Sequence, residues 1–438
     1  YIYELKENSM KKTLVLFLTI LCLTSQSIQA EEPINTNPLY LYSSNYILID
    51  QETGEVLASQ NPDKQVHPAS ITKALTLITS LELLKDTPLT TEYTVPEEVY
   101  EGLTTIASIA DFRPGDTLPL SDYLYGIMLP SGADATRIMS MYFTDTPEGL
   151  AEEMNKVAEK IGMKNSHFVN TSGLDEDEHY STVEDLSKLI QYSLKNETFK
   201  KYYTTLEHTT GPTAKYPEGI EFKNTFLNDA VKYDFPQLYG AKSGYTELAE
   251  RSLSSVATDG TMNLIVVSTN APRENKQNTQ LLDHINLYKL AFNNYQKILI
   301  RKTGDNLAEL DIDLRARPYE LKALSDVASY YSKDFDINKL TVKFDPEPEL
   351  KAPIEKGTLL GRVHYMSDQK TLYSEDIFAV NTIQKSLRYV IFDAAKIMII
   401  SLLVIILILV IAILSIRHYR LYLIRKKRRY NGFIRKPK

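Results

Sequence analysis

From Tyr46 the residues alternate in the manner of a half-buried strand: Tyr46-Ile47-Leu48-Ile49-Asp50, then Gln51-Glu52-Thr53-Gly54, then Glu55-Val56-Leu57-Ala58. Two extended runs joined by a short polar segment ending in glycine predict a β-hairpin. Helical periodicity follows at residues 70–86, 121–142, 147–161 and 182–195, interrupted by loops such as Arg113-Pro114-Gly115-Asp116 and Thr171-Ser172-Gly173-Leu174. Strand-like runs return at 239–245, 252–258 and 262–268, before a helix near 277–293. Strands at both ends with helices between them predict one α+β domain over residues 38–292, an α/β sandwich-like core whose sheet is assembled from distant segments. Beyond residue 295 the pattern shortens to runs such as Leu340-Thr341-Val342-Lys343-Phe344 and Leu359-Leu360-Gly361-Arg362-Val363, which predict a small β-rich domain over residues 295–385.

Two apolar segments stand outside this pattern. Residues 10–30 begin with Met10-Lys11-Lys12, continue through an apolar run and end in small and polar residues at Ser25 to Ala30. That order predicts a secretory signal peptide, and the run is short for a bilayer-spanning anchor. The nine residues before Met10, with Glu4 and Glu7, do not fit the positive start of such a leader. Residues 397–416 are Ile, Leu, Val, Met, Ala and two Ser without a charge, long enough to cross ~30 Å of hydrocarbon as a helix. Arg417-His418-Tyr419-Arg420 and Arg425-Lys426-Lys427-Arg428-Arg429 follow at once. Positive charge beside a span marks its cytoplasmic side, so the expectation is a single-pass cell-membrane protein with a basic cytoplasmic tail at 417–438 and everything before the span outside. The tail is also placed to meet anionic lipid.

Composition narrows the chemistry. The 438 residues are 43% hydrophobic and 24% charged, enough for more than one core. Net charge is −7 although the tail is basic, so the external part is acidic, which argues against nucleic acid as a partner. Cys22 is the one cysteine and lies in the leader, leaving no disulfide and no thiol catalysis in the mature chain. The seven histidines have no ligand-like spacing and there is no His-Glu-x-x-His, so no metal and no cofactor is expected. The acidic run Asp175-Glu176-Asp177-Glu178 lacks a full calcium-loop pattern and reads as a solvated turn.

Three short constellations carry candidate chemistry. Ser70-Ile71-Thr72-Lys73 opens a predicted helix, and three-residue spacing puts hydroxyl and amine on one helical face. Lysine can then activate the serine, provided desolvation or a nearby cation keeps it neutral. The pattern is weak alone, since Ser9-Met10-Lys11-Lys12 also matches it. Pro130-Ser131-Gly132-Ala133-Asp134-Ala135 offers a second hydroxyl in a turn of small residues. Gly240-Ala241-Lys242-Ser243-Gly244-Tyr245-Thr246 sets a lysine, a hydroxyl and a glycine along a predicted strand, where the lysine can hold a carboxylate, the glycine permits close approach, and an edge can pair with an extended peptide. A solvated lysine, a loop serine and a bulged strand remain the plain alternatives for each.

Taken in order, the three constellations resemble the serine-lysine acyl-transfer enzymes that interact with penicillin. The chain is similar to the low-molecular-mass penicillin-binding proteins, the D-alanyl-D-alanine carboxypeptidases. The likeness extends to Phe168-Val169-Asn170-Thr171-Ser172-Gly173-Leu174, to His179-Tyr180-Ser181-Thr182 and to Ala352-Pro353-Ile354-Glu355-Lys356-Gly357, and covers residues 38–385. It implies a penicillin-recognising, β-lactamase-like fold followed by a β-rich spacer. It also implies Ser70 as acylated nucleophile, Lys73 as general base and Ser131 as proton relay, with Lys242, Ser243 and Arg273 binding the substrate carboxylate. Backbone N–H groups of Ser70 and Tyr245 would form an oxyanion hole beside Gly244, worth ~3 kcal/mol per donor. The implied partners are peptidoglycan stem peptides, with β-lactams as inhibitors.

Two departures stand out. The family's second motif ends in Asn, whose amide helps hold substrate and lysine, and here the position is Ala133; Ser243 stands where Thr is commoner. Ala133 keeps open a non-catalytic wall-binding scaffold. A β-lactamase is the further rival, although no deacylating glutamate loop follows Ser131.

Overall fold

In a computed structural model, residues 39–273, 277–367 and 370–434 are described. The expected leader at 10–30 and Cys22 lie outside them. The chain divides into two compact units, residues up to Ile300 together with Val327–Lys339, and Arg301–Asp326 together with the residues from Leu340 on.

In the first unit, β1 (Asn45–Asp50) and β2 (Val56–Gln60) form the predicted hairpin. A single 3₁₀ turn, Ala69–Ile71, leads into α1 (Thr72–Leu83). The ribbon of β3 (Glu92–Thr94) and β4 (Thr117–Pro119) precedes helices α2 (Leu120–Met128), α3 (Ala133–Thr144), α4 (Leu150–Ile161), α5 (Val183–Ser193) and α6 (Glu197–Thr204). A second ribbon, β5 (Glu207–Thr209) with β6 (Glu221–Lys223), and helix α7 (Thr225–Lys232) lead back to the sheet. Strands β7 (Leu238–Thr246), β8 (Glu250–Thr258) and β9 (Asn263–Ala271) complete an antiparallel sheet of order β2-β1-β9-β8-β7, and α8 (Thr279–Asn294) follows. The sheet is thus made from the two ends of the domain.

The alternation in β1 explains the layering. Ile47 and Ile49 join the larger core with α1, while Tyr46 and Leu48 face the opposite way and join the core shared with α8. Both faces of the strand are covered, so all six residues are buried. Apart from Lys73 and Glu82, helix α1 consists of apolar residues and small Thr and Ser, and residues Thr72 to Leu81 are all buried. A helix with no polar face belongs in the centre of a domain.

Where 121–142 reads as one helix, the structure has two. Pro130 has no N–H to continue the ladder, and Ser131 lies at φ +63, a left-handed conformation that ends α2 and starts α3 afresh. The eight-residue α6 and α7 are too short to show a period, and both start on an asparagine cap, Asn196 and Asn224. Strands β10 (Tyr295–Arg301) and β13 (Val327–Ser332) pair with one another and fall mainly in the first unit, although they follow residue 295.

The second unit carries the strand pair of β11 (Asn306–Leu310) with β12 (Tyr319–Lys322) and the sheet of β14 (Leu340–Pro346), β15 (Leu359–Ser367) and β16 (Lys370–Phe378). Leu310, Ile312, Leu321, Ile354, Leu360 and Ile383 are among the residues of its core. Helix α9 (Leu387–Ile434) is 48 residues long, and its most apolar window reaches a mean hydropathy of 3.7, enough to cross a membrane by length and composition.

Removing packing from α1 has a predictable cost. Leu75→Ala, at a fully buried position, should lower unfolding stability by about 2–5 kcal/mol, whereas Leu83→Ala at the exposed end should change it by about 0.5 kcal/mol or less. The urea midpoints of the detergent-solubilised full chain check both values.

Candidate active site

Ser70 sits in the 3₁₀ turn ahead of α1, directly after Ala69, which is held at φ +48. A left-handed non-glycine residue is strained and persists only where its surroundings fix it. Here Gly173 fixes it: the glycine lies at φ +83 so close beneath the turn that a Cβ would meet the Ala69 carbonyl oxygen at 1.9 Å. On the other side Gly244 of β7 abuts the nucleophile, where a Cβ would stand 2.7 Å from the Ser70 amide nitrogen. Two glycines therefore let two backbones close on one serine.

One turn further along α1, the Lys73 Nζ lies 3.1 Å from Ser70 Oγ and donates to the Ser172 carbonyl oxygen at 2.6 Å. Only 2% of Lys73 is exposed. Burial pulls its pKa from the ordinary 10.5 down to about 7, against the opposing pull of the Asp134 and Glu148 charges. With the amine neutral, one N–H goes to the Ser172 carbonyl and the lone pair can face the Ser70 hydroxyl, the geometry of a base.

The loop that supplies this carbonyl is braced by its own side chains. Asn170 Oδ1 accepts from the amides of Ser172 (3.2 Å) and Gly173 (2.8 Å), while its Nδ2 donates to the Leu174 carbonyl and to Glu176. The Ser172–Gly173 peptide is thus gripped by its N–H, and its C=O points the other way, at Lys73. His179 is buried beside it. Val169 N–H donates to Nδ1, so Nε2 carries the proton towards Thr72 Oγ1 at 3.0 Å. Burial lowers the His179 pKa to about 3, and the ring stays neutral.

Ser131 Oγ accepts from Lys242 Nζ at 2.9 Å, and Lys242 also donates to the Ser243 carbonyl at 2.8 Å. Ser131 is thus bonded to Lys242, and Lys73 is bonded to Ser70 and Ser172. Burial, and then the neighbouring Lys73, push the Lys242 pKa well down. The turn at Ser131 is held by Asp134, fully buried, which accepts from the amides of Ala110 (2.7 Å) and Phe112 (3.1 Å) and from Tyr100 Oη (3.2 Å). Burial raises its pKa and those hydrogen bonds oppose the rise. Ala133 contributes its amide to the Ser108 carbonyl at 2.8 Å and no side-chain hydrogen bond. Arg273 lies over the half-exposed Tyr245 ring, 5.4 Å from its centroid. Ser70, Lys73, Ser131, Lys242, Ser243, Gly244, Tyr245 and Arg273 are thereby distributed over the 3₁₀ turn, α1, the α2–α3 turn, β7 and the segment after β9. The Ser172 carbonyl, Asn170 and Asp134 add what the motifs do not announce. Among the described residues, no group of three or more His, Cys, Asp or Glu is arranged to hold a metal ion.

Comparison with known proteins gives the family. The model of the D-alanyl-D-alanine carboxypeptidase family matches residues 31–273, and that of the penicillin-binding protein 5 C-terminal domain matches residues 295–385. The chain is 27% identical over 381 residues to D-alanyl-D-alanine carboxypeptidase DacF of Bacillus subtilis, covering 85% of this chain and 94% of the relative. It is 26% identical over 358 residues to DacA of Escherichia coli K12, covering 78% and 83%. Penicillin-binding protein 5 of Haemophilus influenzae has a similar fold, with TM-score 0.69 and 23% identity over 80% of this chain and 99% of the other. With a family model matching more than half of its length, the chain belongs to the D-alanyl-D-alanine carboxypeptidases, the serine hydrolases among the low-molecular-mass penicillin-binding proteins.

Proposed function

We propose that the protein removes the terminal D-alanine from peptidoglycan stem pentapeptides through an acyl-enzyme on Ser70. The observation that carries this reading is the buried Lys73 amine, 3.1 Å from Ser70 Oγ with a pKa near 7. In the first half-reaction Lys73 takes the Ser70 proton as Oγ attacks the carbonyl carbon of the penultimate D-alanine. The C–N bond breaks, and the departing amine receives a proton through the Ser131 hydroxyl. Water then attacks the ester, Lys73 takes its proton and hands it to Ser70 Oγ as the acyl C–O bond breaks, and the shortened peptide leaves with Ser70 and Lys73 restored.

Lys242 is the group suited to the terminal carboxylate. Its pKa is pushed down by burial and by the neighbouring Lys73. A docked carboxylate favours the ammonium, so substrate arrival itself restores the charge that binds it. Arg273 and Ser243 stand close enough to Tyr245 and Lys242 to assist. β-Lactams would acylate the same Ser70 and leave slowly. Helix α9 would anchor the protein in the cell membrane, with Arg417, Arg420, Arg425, Lys426 and Lys427 on the cytoplasmic side and the catalytic unit facing the wall. Ala133 favours a wall-binding scaffold as second reading, but Lys73 keeps a carbonyl partner without the missing amide.

Full-length protein in detergent should release D-alanine from diacetyl-Lys-D-Ala-D-Ala, and Ser70→Ala should release none; no release from a folded wild-type sample would favour the scaffold. The rate should climb as pH rises through about 7 and flatten above, because the protonated Lys73 has no lone pair to offer; a rate already flat well below that pH would remove Lys73 as the base. Gly244→Ala should cost about a hundredfold or more in D-alanine release with the fold retained, since its Cβ would displace the Ser70 amide.

A further inference from the structure

Glu148, in the segment between α3 and α4, is outside every motif, yet it is linked to Lys73 through its hydrogen bonds to Thr171, the Thr171–Ser172 backbone and the Ser172 carbonyl. Its Oε2 accepts from Thr171 N–H at 2.8 Å and lies 3.0 Å from Thr171 Oγ1. Its Oε1 accepts from Arg137 Nε at 3.0 Å. Arg137 is buried on α3, one turn beyond Ala133, and its Nη1 donates to the carbonyls of Glu101 (2.7 Å) and Val99 (3.3 Å). On its other side Thr171 is gripped by α1, where Thr76 Oγ1 donates to the Thr171 carbonyl at 2.7 Å. Each polar group of Thr171 therefore has a fixed partner. The next carbonyl in the chain, that of Ser172, is the one on which Lys73 rests at 2.6 Å.

We propose that Glu148 is a positioning residue for Lys73, holding through Thr171 the Ser172 carbonyl that aims the amine at Ser70. It thus supplies from α3, by way of Arg137, the link to the lysine that Ala133 does not make. An asparagine at 133 would reach the lysine directly from the start of α3. In this chain the connection runs one turn later along the same helix and through a carboxylate. A carboxylate differs from an amide in carrying charge, and Glu148 favours the protonated form of Lys73. It therefore holds the place of the amine and, beside the larger effects of burial and Asp134, raises the pH at which the amine becomes a base.

The inference rests on the assignment of Ser70 and Lys73 above, and its test separates the two. Acylation of the full chain in detergent by a fluorescent penicillin is followed from about pH 5.5 to 9 for wild type, Glu148→Gln, Glu148→Asp and Ser70→Ala. Glu148→Gln, which removes the charge at nearly constant size, should move the acid limb of the profile down by about half a pH unit and lower the plateau about tenfold. Glu148→Asp keeps the charge and shortens the reach, so it should lower the plateau and leave the limb with wild type. Profiles of folded Glu148→Gln and wild type that superimpose overturn the inference. So does a lowered plateau with an unmoved limb in Glu148→Gln, which a purely structural contact would give. If Glu148→Gln does not fold, Thr171→Val, which deletes the hydroxyl's bonds to Glu148 and Thr136 and keeps the shape, should lower the plateau several-fold without moving the limb, while Thr136→Val, which removes only the second of these, should not; an unchanged plateau in Thr171→Val, or an equal loss in Thr136→Val, overturns the inference. A wild-type signal that Ser70→Ala does not abolish overturns the Ser70–Lys73 assignment, and the Glu148 link with it.

Discussion

The structure depends on the burial of one amine. An isolated ammonium inside a domain core is costly, and Lys73 meets that cost by having its pKa pulled down to about 7. Everything around it fits that state. The helix that carries it is buried from Thr72 to Leu81, so the amine lies where solvent barely reaches. A backbone carbonyl, rather than a carboxylate, receives its N–H, so the neutral form loses little. The two carboxylates that act on it, Asp134 and Glu148, are engaged with backbone amides or with Arg137.

A second amine shares the groove. Lys242 and Lys73 are both buried, and each charge disfavours the other. Two adjacent, partly neutralised amines with one hydroxyl each, Ser131 and Ser70, make a site whose electrostatics change when an anion enters. The strained residues lie at the same place. Ala69 and Ser131, both at positive φ, immediately precede or carry the two hydroxyls, and the two glycines at 173 and 244 hold the first of them.

Much of this was legible in the sequence because side chains carry it. Alternation in Tyr46 to Asp50 gives β1, the helical periodicity over residues 70–86 gives α1, and the three-residue spacing places Ser70 and Lys73 on one face. The break between α2 and α3 was readable in Pro130 but was outweighed by apolar periodicity on both sides. Other features leave no such trace. The partner of Lys73 is a backbone carbonyl, which any residue at 172 would provide. Glu148 is one acid among many until the fold sets it against Thr171. The pairing of β10 with β13 depends on two strands 26 residues apart, from the end of one to the start of the other, a distance over which local pattern says nothing.

The most direct measurement is the intact mass of the full-length protein after exposure to benzylpenicillin, with the modified peptide located by digestion. The account predicts one lasting penicilloyl adduct, on the peptide that contains Ser70, and none in Ser70→Ala. A folded protein that takes no adduct, or takes it at another residue, would contradict the claim that the Ser70–Lys73 pair is the centre of acyl transfer.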